Sequence, residues 1–90
     1  MGKKPNKPKI GVVLTAEARK ALKNEQIQLF LQKGRYFNCD SVSQEGFFLH
    51  MKLRFPDEEE LVTEISIPIA YVLYMVSAEA QARLGFGEGN

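Results

Sequence analysis

From Phe47 to Phe55 the chain alternates: Phe47, Leu49, Met51, Leu53 and Phe55 stand opposite Phe48, His50, Lys52 and Arg54. A period of two sends successive side chains to opposite sides of an extended backbone, so this stretch predicts a strand with one face in a core. The rhythm returns at Leu61, Thr63, Ile65 and Ile67, with Val62, Glu64 and Ser66 between them. Pro68 has no N–H to give to a ladder and predicts the end of that strand or a bend. Arg35 to Ser43 predicts a further strand, closed by a reversal at Gln44-Glu45-Gly46, and Tyr71 to Val76, rich in β-branched and aromatic residues, predicts the last. Pro56 to Glu60 reads as a charged loop.

The stretch NEQIQLFLQKGRYF, residues 24 to 37, is where a helical pattern meets something else. Thr15 is a good N-cap, Glu17 lies in the first turn, and Arg19, Lys20 and Lys23 lie toward the far end, as the helix dipole prefers. Leu14, Ala18, Ala21 and Leu22 make one apolar stripe, which predicts a helix of about ten residues. From Glu25 the pattern changes: Ile27, Leu29 and Leu31 alternate with Gln28, Phe30 and Gln32 before a turn signal at Lys33-Gly34. Period two predicts a strand there, with Ile27, Leu29 and Leu31 pointing inward; one helix continuing to Lys33 is the competing parse. Ser77 can cap a short helix running to Arg83 or Leu84, with Gly85 as its stop.

The predicted order is one helix, five short strands and a small C-terminal helix. Tight connections favour a strongly bent five-stranded antiparallel sheet, or small open barrel, over a parallel fold with its long crossovers. The fold class expected is therefore mainly β.

Composition changes the picture in three places. Ninety residues at 44% hydrophobic suit one small domain; residues 10–84 would form it, between a basic arm at 1–9 and a tail at 85–90. No apolar run approaches the roughly 20 residues that cross a bilayer, and the N-terminal apolar run is too short for a signal peptide, so no membrane partner and a cytoplasmic location are expected. Lys3, Lys4, Lys7 and Lys9 supply four of the twelve basic residues, which leaves eight against eleven acidic ones from residue 10 onward, a charge of −3. Any basic footprint is therefore local, and the arm reads either as a solubilising tail or as a phosphate-seeking segment.

Catalytic chemistry finds little to work with. One cysteine and one histidine give no internal disulfide and no metal cluster of usual spacing. Cys39 reads as a structural thiol, and Asp57 to Glu60 lack the alternating ligands of a calcium loop. Without a nucleophile–base pair, a phosphate loop or a metal set, neither an enzyme nor a cofactor is expected.

Several segments together resemble the Sm-like family. IQLFLQKGRYF looks like its first strand, turn and second-strand start; GFFLHMKL resembles its third strand; and IPIAYVLYM has the spacing of its second motif, an Ile followed after a short bend by a Val/Ile-x-Tyr strand. The likeness covers residues 14 to 76, allowing one inserted residue near Gln44. It implies an N-terminal helix ahead of five strands, and a homo-oligomeric ring of five to seven subunits in which the fourth strand of one copy pairs with the fifth of the next. Ile65, Ile67, Val72 and Tyr74 are the interface residues that follow.

The resemblance further implies single-stranded RNA on the ring face. Phe48 matches the aromatic position of the third strand and His50 the Asn position, the one for base stacking and the other for hydrogen bonds. Lys52 and Arg54 on the same strand face, with Lys3 and Lys4 in the arm, could meet phosphates. In place of the family's basic pair in the second motif stands Pro68-Ile69. That departure keeps a second expectation open, a ring that serves as a scaffold or protein-interaction module without the nucleotide pocket.

Overall fold

The computed structural model describes residues 9–77 together with 80 and 83. Over these residues the protein is mainly β, as expected, but the single bent five-stranded sheet behind an N-terminal helix is corrected to seven strands in two antiparallel sheets, with no closed barrel and with a strand ahead of the first helix. In chain order they are β1 (Ile10–Leu14), β2 (Leu31–Gln32), β3 (Tyr36–Cys39), β4 (Ser41–Glu45), β5 (Phe48–Phe55), β6 (Glu58–Pro68) and β7 (Val72–Ser77). One sheet has the order β2-β3-β1-β7 and the other β4-β5-β6. A single residue, Asp40, separates β3 in the first from β4 in the second, so the one strand expected over 35–43 is two, and the charged loop expected over 56–60 shrinks to Pro56-Asp57 because β6 starts at Glu58.

The alternation of β5 is realised as expected. Leu49, Met51 and Leu53 are buried, and Phe48, His50, Lys52 and Arg54 take the other face. Phe47 does not join the buried set: it sits beside Gly46, whose φ of +62° makes the reversal, and is 82% exposed. On β6 the inward positions lose cover toward the hairpin tip, Ile67 being buried, Ile65 half-buried and Leu61 exposed. Pro68 ends β6 as expected, and Ile69–Tyr71 form a short 3-10 helix leading into β7.

Two local expectations are corrected. Thr15 does cap a helix, its hydroxyl accepting the Ala18 N–H at 3.0 Å, but α1 runs only from Ala16 to Ala21. Gln26–Phe30 then forms a 3-10 helix rather than a strand, and only Leu31–Gln32 are extended. The free carbonyl at the end of α1 is the cause. Leu22 O accepts both the Glu25 N–H at 3.1 Å and Gln28 Nε2 at 2.7 Å, and Gln28 N–H bonds Glu25 O at 3.1 Å. Three-residue spacing then puts Phe30 in the core with Ile27 packed against it, while Leu29 faces solvent. The competing single helix is equally absent.

The second correction is β1. Residues 10–14 have no visible alternation, yet they form a central strand hydrogen-bonded to β3 on one side and β7 on the other. Both faces are covered, which removes the alternation. Val12 and Leu14 enter the main core, and Val13 packs with Tyr36 and Val76 on the opposite side. Of the expected C-terminal helix, Ala80 and Arg83 are helical and Ser77 Oγ accepts the Ala80 N–H at 3.2 Å; its remainder, the arm at 1–8 and the tail at 85–90 lie outside the described residues.

The main core joins the sheets: Val12, Leu14, Phe37 and Cys39 from one meet Leu49, Met51, Leu53 and Ile67 from the other, with Ala18 and Phe30 closing one side. The Phe30 ring meets Phe55 edge-on, centroids 5.0 Å apart. Met51 has no exposed surface. Truncating it leaves a cavity between the sheets, so Met51→Ala should lower the unfolding free energy by about 2–5 kcal/mol in urea titration. A change below about 1 kcal/mol would show that the sheets do not pack through this residue.

Candidate functional site

The outer face of β4-β5-β6 gathers most of the residues that the sequence singles out. Register places Glu45 and Pro68 beside Phe48, Ser43 and Ser66 beside His50, Ser41 and Glu64 beside Lys52, and Val62 beside Arg54. The face is therefore mixed in charge.

His50 is engaged from both neighbouring strands. Its Nδ1 lies 2.6 Å from Ser66 Oγ and 3.9 Å from Glu64 Oε2, and its Nε2 lies 3.2 Å from Glu45 Oε1. Two carboxylates at that range make a poor seat for a phosphate. Arg54 is committed as well, giving Nε to Asp40 Oδ2 at 2.7 Å and Nη1 to the Glu59 carbonyl at 2.8 Å. Lys52 is exposed and stands across from Glu64. Phe48 is about half-exposed. Lys3 and Lys4 lie outside the described residues.

Asp40 is the most tightly held charge. Its carboxylate accepts Lys9 Nζ at 2.6 Å in addition to Arg54, its side chain is 12% exposed, and its N–H bonds the Lys52 carbonyl at 2.7 Å. Burial opposes its ionisation, but the hydrogen bond and charge of Lys9, together with those of Arg54, outweigh burial and hold the carboxyl below its ordinary value. Next to it, burial pushes the Cys39 thiol up to about 12, with the Asp40 charge adding to the effect and Lys9 opposing it. A buried, protonated thiol is neither nucleophile nor ligand. Among the described residues no group of three or more His, Cys, Asp or Glu could hold a metal ion, and no helix is long and apolar enough to cross a membrane.

The residues expected at a subunit interface divide. Ile67 lies in the chain's own core, Ile65 and Val72 pack against that core, and Tyr74 is exposed. Beside Tyr74, β7 also exposes Leu73 and Met75, and β6 exposes Leu61 and Val62. Among the described residues, β6 pairs only with β5 and β7 only with β1, so each carries a free edge. Two features had no place in the sequence reading: the pairing of Asp40 with Lys9 and Arg54, and the contact of His50 with Ser66, sixteen residues away; Phe47, expected on the inward face, protrudes instead, signalled by the glycine before it. Phe47 is held firmly, its carbonyl accepting the Ile69 N–H at 2.7 Å.

Comparison with known protein families, curated proteins and solved structures gives no match. The surfaces are thus read from their own chemistry. They comprise a mixed-charge sheet face around His50, an aromatic tip at Phe47 and Phe48, an acidic edge strand β6 that also exposes Leu61 and Val62, and an uncharged, apolar edge strand β7.

Because the folded-state value of Asp40 is depressed, its stabilisation is complete above the ordinary value of 3.8 and is lost as pH falls below that through the lower folded value. Stability of the native chain should therefore decline, as pH falls through 3.8 and below, more steeply than that of Asp40→Asn. Parallel slopes in urea titrations across that range would refute the pairing.

Proposed function

We propose that this protein is a self-assembling β module of the Sm-like kind, closing into a ring of five to seven copies as β6 of one copy pairs with β7 of the next. One observation carries the reading: among the described residues β6 and β7 are two of the four edge strands, and they expose Leu61 and Val62 on one side and Leu73, Tyr74 and Met75 on the other. An unpaired apolar edge is a liability that pairing removes. Charge supports a head-to-tail joint. β6 carries Glu58, Glu59, Glu60 and Glu64, so two β6 edges repel each other, whereas β7 is uncharged and accepts the acidic strand without like-charge conflict. Unlike edges joined in one direction generate a ring when the rotation between copies closes, and an open filament when it does not.

Single-stranded RNA on the assembled module is the second reading, favoured by the exposed aromatics Phe47 and Phe48. Bases stack on such rings with little regard to sequence, by about 1–3 kcal/mol each. With Arg54 tied to Asp40 and His50 set between carboxylates, phosphate contacts fall to Lys52 and the basic arm. The scaffold role therefore leads, and RNA binding follows it.

Light scattering should give a mass of five to seven chains at micromolar concentration, and Leu73→Glu, which sets a carboxylate against the acidic β6 edge, should shift the protein to monomer. A native monomer would end the assembly reading. In anisotropy titrations with oligo-U and oligo-A, Phe48→Ala should weaken binding about tenfold, and higher salt should weaken it steeply. No binding at low salt, or the same loss from an unrelated surface substitution, would remove RNA and leave the scaffold.

A further inference from the structure

Ser66 lies directly across from His50 on the outer sheet face, sixteen residues away in sequence, and Glu45, opposite Phe48 at the hairpin end of β4, reaches His50 diagonally. The Ser66 hydroxyl is 2.6 Å from His50 Nδ1, short for a bond of this kind, and His50 Nε2 is 3.2 Å from the Glu45 carboxylate. The network selects one tautomer. An acceptor-only carboxylate beside Nε2 requires the proton there, which leaves the Nδ1 lone pair to receive the Ser66 O–H. A hydroxyl on a base, and that base oriented by a third group, is the arrangement that activates a serine. The imidazole is three-quarters covered while Ser66 is open to solvent, so the base is fixed in place and the hydroxyl can be reached.

We infer that Ser66 is a nucleophile toward activated acyl groups, meaning esters or thioesters with a good leaving group. Ser66 Oγ forms a bond to the acyl carbon as its proton passes to His50 Nδ1. The carbon–oxygen or carbon–sulfur bond to the leaving group then breaks with its electron pair, and the proton on Nδ1 passes to the leaving group, or to water where the leaving group departs as a weakly basic anion such as nitrophenolate. Glu45 at Nε2, with Glu64 3.9 Å from Nδ1, stabilises the imidazolium between the two transfers. The product is acyl-Ser66 and a free alcohol or thiol. Water entering where the leaving group stood can reverse the sequence and release the acid.

The setting defines the class of donor. The backbone around His50 is in the ladders on either side of β5, and among the described residues no pair of N–H groups converges on a point beside Ser66 Oγ to form an oxyanion hole of the kind a helix N-terminus or tight turn supplies. Reactivity therefore extends to donors whose leaving group needs little such help, and not to amides. The activity depends on one sheet of one chain, so it holds whether or not copies assemble.

The test uses the full chain with p-nitrophenyl acetate, following nitrophenolate release and locating the acetyl group by peptide mass mapping. The expected result is acetyl-Ser66, formed at a rate that rises with pH as one base loses its proton. Ser66→Ala should abolish that adduct, and His50→Gln, with the hydroxyl still present and the fold checked by circular dichroism, should slow it about 100-fold or more. Glu45→Gln should slow it by a smaller factor and change the pH profile. Acetylation confined to lysines, or Ser66 acetylation at an unchanged rate in His50→Gln, would overturn the inference.

Discussion

Between Cys39 and Ser41 the chain leaves one sheet and enters the other, and whatever fixes that corner fixes how the sheets face each other. Asp40 occupies it alone. Its N–H reaches across to the Lys52 carbonyl, and its carboxylate draws in Lys9 from ahead of β1 and Arg54 from β5. Desolvation works against such a charge, so the two cations must do more than offset it. Each remains partly wet, which limits what either contributes alone. The corner gains geometry: one sheet's first strand and the other's middle strand are tied to the same carboxylate, and the apolar faces of both close on Met51 and Phe37 beneath it.

What the sequence made legible follows from how many faces an element buries. β5 buries one face and shows a clean alternation; Thr15, Gly46 and Pro68 mark boundaries by chemistry that acts within a few residues. β1 buries both faces, so Ile10–Leu14 carries no period, and a run of five apolar residues cannot by itself separate strand from helix. Gln26–Phe30 failed for a different reason. Over five residues, a repeat of two and a repeat of three share Ile27, and the arbiter was a side-chain bond that neither pattern encodes, the Gln28 amide reaching back six residues to Leu22 O. The sheet face was legible as a row of residues, but the commitment of Arg54 to Asp40 and of His50 to Ser66 spans fourteen and sixteen positions and depends on register between strands.

The two free edges also differ in how they are guarded. β6 bears acidic side chains and ends in proline, devices that discourage indiscriminate pairing, whereas β7, beyond a bulge at Leu73, presents Tyr74 and Met75 without charge or proline. An unguarded edge beside a guarded one narrows the set of acceptable partners. It also means that concentration, rather than folding, governs whether β7 stays exposed.

Cys39 stands where the two sheets meet, fully enclosed, with its thiol held protonated up to about 12. An alkylating reagent can reach that sulfur only when the layers separate, so its rate of capture records how often they do. The chain thus carries its own clock for opening, set in the one place where local fraying of termini or hairpin tips leaves no trace.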